Sequence, residues 1–518
     1  MSEGGNTGPA AWLLDAEPGW RAGAAGNPDV RSHFASQAQV DHEEIGMASM
    51  AADVIPEIIL VVGGVVVLLY VLFAPRRLQA GAALLALGAV TAAGVVSLAM
   101  LWGPEQLTFT DTYARDYAAV WSKLIILAGT AVVIGLSVPW FKGDPRHGEY
   151  YTILLFSSLG AILLAAASDL KEFLMAMVLS SATGFVLVAY HRRSSPASEA
   201  AIKYYLLGAF TSAATLVGVA YLFGLAGSTT LSGLRAGLPG SGTNLAVIVG
   251  AALVVLALAF KIGAVPAHAW MPDVAQGAPA PVAAFVTSIP KVGGFLFLAR
   301  FVLALPPDGI EWRPLIAILA AATMTLGNLA ALSQDDVRRL LGWSAVSQSG
   351  YGLMAIVALE RSDLAVPSLL FFLLAYVLSN VAAFGVVSEL RGRSELAAYN
   401  GLAKSRPWLA GALTVAFLSF IGVPPLAGFF AKLVLFGAAI EAGYAWLAVL
   451  AAVNTVVSIA YYARVLAPAY FGELASPMPV LGRWAAAATL ASAAAVIVVG
   501  IAAEPFLRAF AEASLLPN

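Results

Sequence analysis

No cysteine occurs among the 518 residues. That excludes a disulfide framework, a thiolate metal site and a cysteine nucleophile. Histidine is scarce, and the five present (His33, His42, His147, His191 and His268) lack the paired spacing of a zinc site. Charge is thin as well: Asp, Glu, Lys and Arg make up 11% of the chain, against about a quarter in an ordinary soluble domain. A net charge of −2 offers no surface for nucleic acid and no polybasic membrane anchor. No glycine-rich phosphate loop follows a strand pattern, so nucleotide chemistry is not expected on this chain.

What fills the chain instead is apolar: 60% of residues are hydrophobic and 48 are glycine, the composition of an integral membrane protein whose helices approach closely. Runs of about 20 apolar residues, the length needed to cross a bilayer core, recur about fourteen times. They fall near 55–74, 80–101, 118–139, 150–167, 172–190, 202–224, 244–265, 281–303, 313–332, 338–358, 366–388, 408–436, 443–466 and 482–502. The expected fold is therefore all-α, embedded in a lipid bilayer, with short loops and no second soluble domain. Residues 1–54 are a polar tail that reads as disordered, or as largely upstream of a true start at Met47 or Met50. Residues 55–149 hold three leading helices, and 471–518 a last helix and tail.

Lys and Arg gather in the loops after odd-numbered helices, including Lys142, Arg146, Arg338, Arg339, Lys404 and Arg406. Fewer lie on the other side, among them Arg115, Lys171, Arg235 and Arg361. The positive-inside rule then makes the first set cytoplasmic and places both termini outside.

The lysines stand apart. Lys123, Lys261, Lys291 and Lys432 fall within hydrophobic spans, and Lys203 heads one. A charge near the bilayer centre costs at least about 2.5–3.5 kcal/mol, so each needs a polar interior. Arginine keeps its proton, whereas a lysine ammonium taken from water can release and regain one. Lys123 and Lys203, nearer helix ends, read equally as snorkelling or packing residues. Lys261, Lys291 and Lys432 lie beside helix-breaking sequence: Pro266 and Pro272, Pro290, and Pro424–Pro425. Broken helices at membrane depth are tolerated where they line a cavity or are buried in protein. Two such breaks in corresponding halves point to inverted repeats, 150–311 and 312–470, each of five helices with the fourth broken. The broken helices are thus the seventh and the twelfth. The lysine precedes its prolines in one half and follows them in the other. His268, seven residues after Lys261, would lie about 10 Å along a continuous helix, which favours a proton relay over a plain interior histidine. Asp273 reads as a cap or loop residue.

The segment "FKIGAVPAHAWMPDVAQGAPAPVAAFVTSIPKVGGF" resembles subunit N of the proton-pumping NADH:quinone oxidoreductases, respiratory complex I. So do "PEIIL", "EAAIKYYLLGAF", "GNLAALSQDDVRRLLGWSAVSQSGY" and "YNGLAKSRPWLA", in order from residue 55 onward. The resemblance implies a fourteen-helix antiporter-like module of the membrane arm, with redox chemistry on partner chains and no cofactor on this one. Its partners would be other membrane-arm subunits, including neighbouring antiporter-like ones, within the inner cell membrane. Carried over by motif, Lys261, Lys291, Lys432, His268 and Lys203 would transfer protons while a partner reduces quinone.

Two positions depart from the family pattern. Val178 stands where a fifth-helix glutamate is expected to pair with Lys261, and neither Glu172 nor Asp169 replaces it on a regular helix. Gln348 stands where relatives commonly have histidine, and an amide orients water without carrying a proton charge at neutral pH. Two alternatives remain: a cation/proton antiporter component, against which the Gln-Gly-Ala-Pro run argues, and a non-pumping structural subunit, which would gain little from keeping three buried lysines.

Overall fold

The computed structural model describes residues 50–516, apart from 76–77, 145, 192–193, 239–244, 307–310 and 474–481. The chain divides into two units, Met1–Val54 and Ile55–Asn518. Of the first unit only residues 50–54 are described, with a helical turn at 50–53. The rest of the expected polar tail lies outside the described residues, as do Arg76, Arg77, Arg192 and Arg193, which in the sequence also follow odd-numbered apolar runs and count with the cytoplasmic set.

The second unit is built from helices. α1 (Ile55–Phe73) and α2 (Gly81–Ala99) lead to a small antiparallel hairpin, β1 (Gln106–Thr108) and β2 (Tyr113–Arg115). Then follow α3 (Tyr117–Trp140), α4 (His147–Ala166), α5 (Leu170–Val188) and α6 (Ser195–Ala226). The seventh crossing is split into α7a (Leu245–Ile262) and α7b (Trp270–Gly277), and the eighth into α8a (Ala280–Val286) and α8b (Ile289–Leu303). α9 (Trp312–Leu332), α10 (Val337–Ala358) and α11 (Ala365–Glu389) precede the split α12a (Pro407–Ile421) and α12b (Ala427–Glu441). α13 (Ala445–Phe471) and α14 (Arg483–Ile501) complete the set.

Among the described residues, twelve helices are long and apolar enough to cross a membrane. The other two of the expected fourteen crossings are α10, whose serines and arginines make it the more polar, and the interrupted α12 pair. α8 and α11 are almost wholly buried and form the centre, while α1 and α2 lie at the edge with most of their surface outward.

Two boundaries differ from expectation for identifiable reasons. α6 begins earlier than the hydrophobic run suggests, because Pro196 occupies its first turn. Lys203 is consequently two turns inside α6 rather than at its head. The eighth crossing was expected to be continuous, yet it is interrupted at Thr287–Ser288. Pro290 cannot donate to the turn before it, and the Thr287 and Ser288 hydroxyls bond back to Ala283 O (2.7 Å) and Ala284 O (2.6 Å).

The two five-helix halves share packing in detail. In α4 against α5, a Cβ on Gly160 would meet Ser180 N at 2.6 Å; in α9 against α10, a Cβ on Gly327 would meet Ser347 N at 2.5 Å. Asp169 caps α5 by accepting from Lys171 N, and Asp336 caps α10 by accepting from Arg339 N. One constant sequence offset relates all three pairs. α5 starts at the hairpin end and α10 at the opposite end, so the second half is inverted relative to the first.

Candidate functional site

Both central breaks begin with glycine rather than proline. Gly263 (φ 73°) ends α7a, with Gly263 N bonded to Phe260 O and Ala264 N to Ala259 O; Gly422 (φ 89°) ends α12a, with Gly422 N and Val423 N both on Leu418 O. A left-handed residue closing a helix in this way is a position glycine fills without steric penalty. The prolines that follow keep the helix from resuming.

A helix end inside the protein leaves backbone groups without intrahelical partners, and side chains meet them here. Trp270 Nε1 donates to Phe260 O at 3.1 Å and Ser349 Oγ to Ile262 O at 2.5 Å. Val265 N donates to Thr323 Oγ1 at 3.1 Å. At the second break, Lys432 Nζ donates to Ile421 O (3.3 Å), Gln348 Nε2 to Phe420 O (3.4 Å) and Gly428 N to Ser419 Oγ (3.1 Å). Arg338, buried, donates through Nε to Ala275 O at 2.9 Å and through Nη2 to Ala278 O, closing the carbonyl end of α7b.

Three lysines sit at these ends. Lys261, in the last turn of α7a, is buried and donates to Ser181 Oγ on α5 at 3.3 Å. Lys291, in the first turn of α8b, donates to Ala345 O (2.6 Å) and Ser349 Oγ (2.9 Å), with the Tyr376 ring centroid 5.1 Å away. Lys432, on α12b, adds Thr455 Oγ1 of α13 at 3.1 Å and the Tyr351 ring at 4.2 Å. Tyr351 Oη lies 3.0 Å from Thr455 Oγ1. Among the described residues no carboxylate lies within ion-pair distance of these three ammonium groups. They rest on hydroxyls, carbonyls and aromatic faces; Lys261 and Lys432 also meet the negative ends of α7a and α12a, which favour a cation, whereas Lys291 stands at the positive end of α8b.

Ser349 ties Lys291 to the end of α7a. A cavity of about 10 Å3, lined by Gln348, Tyr376, Ser379, Ser419 and Lys432, continues towards the second break and is at the threshold for holding one water. Gln348 thus faces the lysine row as a neutral orienting group. Val178 is 57% exposed and points out of the chain, so the expected fifth-helix position does not face Lys261; Ser181 does.

The remaining flagged residues lie elsewhere. His268 is in the link between α7a and α7b, its ring 5.6 Å from Trp343, with Nδ1 buried and unpartnered. The break replaces the continuous helix assumed between Lys261 and His268, and no hydrogen bond joins them among the described residues. Lys203 is 47% exposed and pairs with Glu199 (2.7 Å) and Asp273 (3.0 Å), away from the lysine row. Asp273 also takes Arg339 at 2.5 Å, which makes it an ion-pair hub rather than a plain cap. Lys123 is fully buried beside Glu57, so it is not a snorkelling residue. No group of three or more His, Cys, Asp or Glu gathers as a metal site among the described residues. Sequence reasoning missed Ser181, Ser349, Tyr351, Tyr376 and Thr455. Their only signal is polarity in an apolar helix, shared with many serines and threonines that merely bond their own backbone.

Comparison with known proteins supplies an independent finding. Residues 167–458 match the transmembrane region of the NADH:quinone oxidoreductase/Mrp antiporter family. The chain is 40% identical over 447 residues to NADH-quinone oxidoreductase subunit N of Mycobacterium sp. strain JLS, covering 85% of this chain and 94% of that one. It is 41% identical over 462 residues to subunit N 1 of Streptomyces griseus, covering 88% and 97%. A chain of Thermus thermophilus respiratory complex I, solved with bound aureothin, superposes with a TM-score of 0.77 at 32% identity, over 89% of this chain and all (100%) of that one. A chain of the Mrp complex from Dietzia sp. shares the fold, with a TM-score of 0.79 at 20% identity over 89% and 96%.

Proposed function

The chain belongs to the NADH:quinone oxidoreductase/Mrp antiporter family, on its subunit N branch, and from that premise we propose that protons move through it along the row Lys261, Lys291 and Lys432. It is an antiporter-like membrane-arm subunit of an oxidoreductase complex. In this proposal NADH oxidation and quinone reduction take place on partner chains, and no redox cofactor is bound here. Neighbouring antiporter-like subunits flank it in an inner cell membrane, with the hairpin end facing outward and the Arg338–Arg339 end facing the cytoplasm.

One observation supports the proposal above the others: three buried ammonium groups stand at interrupted helix ends and are met by rotatable hydroxyls rather than fixed carboxylates. A lysine held by Ser or Thr can hand a proton to water or a neighbour without breaking an ion pair. His268, with its free Nδ1, extends the row towards the α7b end, and Lys203 with Asp273 stands at that end's surface as the entry group. A structural spacer has no use for such charges.

The test is Lys291→Ala in the native assembly, with NADH oxidation and acidification measured together in inverted membrane vesicles. Both should fall together while the complex stays assembled. Normal values for both would retire the lysine row and favour a spacer.

A further inference from the structure

A buried lysine–carboxylate site lies away from the lysine row, at the hairpin end. Glu57 is in the first turn of α1, Lys123 in the second turn of α3 and Tyr113 on β2. Lys123 Nζ is 2.9 Å from Glu57 Oε1 and donates to Tyr113 Oη at 2.6 Å. Tyr113 in turn donates to the same Glu57 Oε1 at 2.7 Å. The lysine side chain is 0% exposed and the glutamate 6%.

A buried ion pair kept for packing needs its remaining lone pairs satisfied. Here Glu57 Oε2 is buried without a hydrogen-bond partner, and so is Glu172 Oε2, in the first turn of α5. Glu57, Asp169, Lys123 and Arg300 are the charged groups that act on Glu172. Arg300 is already committed to Asp116, through contacts of 2.5 and 2.8 Å. The hydroxyls of Thr108, opposite Tyr113 in the hairpin, and of Ser168, whose backbone bonds Thr112 O, are likewise buried and unpartnered. Unsatisfied buried polar atoms are rare in native proteins, and a group of them beside a carboxylate marks a place for bound water and exchanging protons.

We propose that Glu57, Tyr113 and Lys123, with Glu172 beside them, form a second proton-exchange site serving the same translocation from the hairpin end. The inference rests on the proton-carrying function proposed above. The Lys123 ammonium passes a proton to the Tyr113 oxygen as the phenol passes its own to Glu57 Oε1. One N–H and one O–H bond break, and two O–H bonds form. The ion pair becomes a neutral amine and a carboxylic acid, with no electron transferred. Glu57 Oε2 and Glu172 Oε2 are the faces through which that proton leaves or returns.

The experiment uses the intact complex in native membranes, with assembly read on native gels. Glu57→Gln keeps the shape and removes the exchangeable acid; Tyr113→Phe removes only the relay hydroxyl. Each should leave the amount of complex unchanged and lower NADH-driven acidification, with NADH oxidation, at least about tenfold. If Glu57→Gln does not accumulate, Tyr113→Phe decides by the same readouts. The paired variant Glu57→Gln/Lys123→Met, which removes both charges, should stay low. Recovery in the paired variant overturns the proposal, because the single variant then suffered only from an uncompensated buried charge. Normal acidification in Glu57→Gln overturns it as well. Lys291→Ala, run in parallel, separates the two claims. If it is inactive while Glu57→Gln is normal, only this site fails; if it is itself normal, the function it rests on fails too.

Discussion

At the scale of single residues, Lys261 is decided by Ser181 and not by position 178. Ser181 gives the buried ammonium its one side-chain acceptor among the described residues. Val178 looks outward at 57% exposure. Removing an acceptor from a buried donor costs about 1–3 kcal/mol, so Ser181→Ala should lower the melting temperature of the purified complex and reduce acidification together with NADH oxidation. Val178→Ala, on the outer face, should stay within about 0.5 kcal/mol of the parent. A large loss in Val178→Ala would mean that a neighbouring subunit packs on that face. The sequence announced Lys261, Lys291 and Lys432 clearly, because charge in an apolar run is conspicuous. Their partners were silent, since hydroxyls and backbone carbonyls become ligands only once helices are placed side by side. Lys203 shows the converse: it is just as conspicuous in sequence, yet the fold leaves it half in the open beside Glu199 and Asp273.

At the scale of elements, the two central breaks were legible through their prolines, but the residues that end the half-helices are glycines. Gly263 and Gly422 hold positive φ, where a side chain costs roughly 1–2 kcal/mol. Their surroundings differ. A Cβ at Gly263 would meet Met271 Cε at 2.1 Å, whereas one at Gly422 would meet Lys432 Cδ at 3.2 Å. Gly263→Ala should therefore act mainly on stability. Gly422→Ala, pressing on Lys432 itself, should lower acidification more than its loss of melting temperature explains. Arg338 belongs to this scale too, because its fork closes α7b through two carbonyls. A lysine offers a point charge in place of that planar pair. Arg338→Lys should consequently melt nearly as early as Arg338→Ala, and a full rescue by lysine would show that charge alone is needed. The interruption of α8 was only half legible: Pro290 marked helix-breaking sequence beside Lys291, but the Thr287 and Ser288 hydroxyls that make a break there tolerable look like ordinary residues of an apolar helix.

At the scale of the whole molecule, the inverted halves place equivalent close contacts beneath different lysines. Gly160 presses on Ser180, one residue before the Ser181 that holds Lys261; Gly327 presses on Ser347, one residue before the Gln348 that faces Lys432. In both cases the nearest atoms are backbone, which cannot swing aside. Gly160→Ala and Gly327→Ala should each overpack their helix pair and cost about 1–3 kcal/mol. The contacts lie in separate helix pairs and share no partner, so their effects on melting should add within about 0.5 kcal/mol. Acidification should behave differently. If protons cross both halves in series, the slower half sets the rate. The double variant then pumps no worse than the more damaged single one, although it melts lower than either. Losses in acidification that multiply in the double variant would instead mean that the two halves conduct independently, and the lysine row would not be one path.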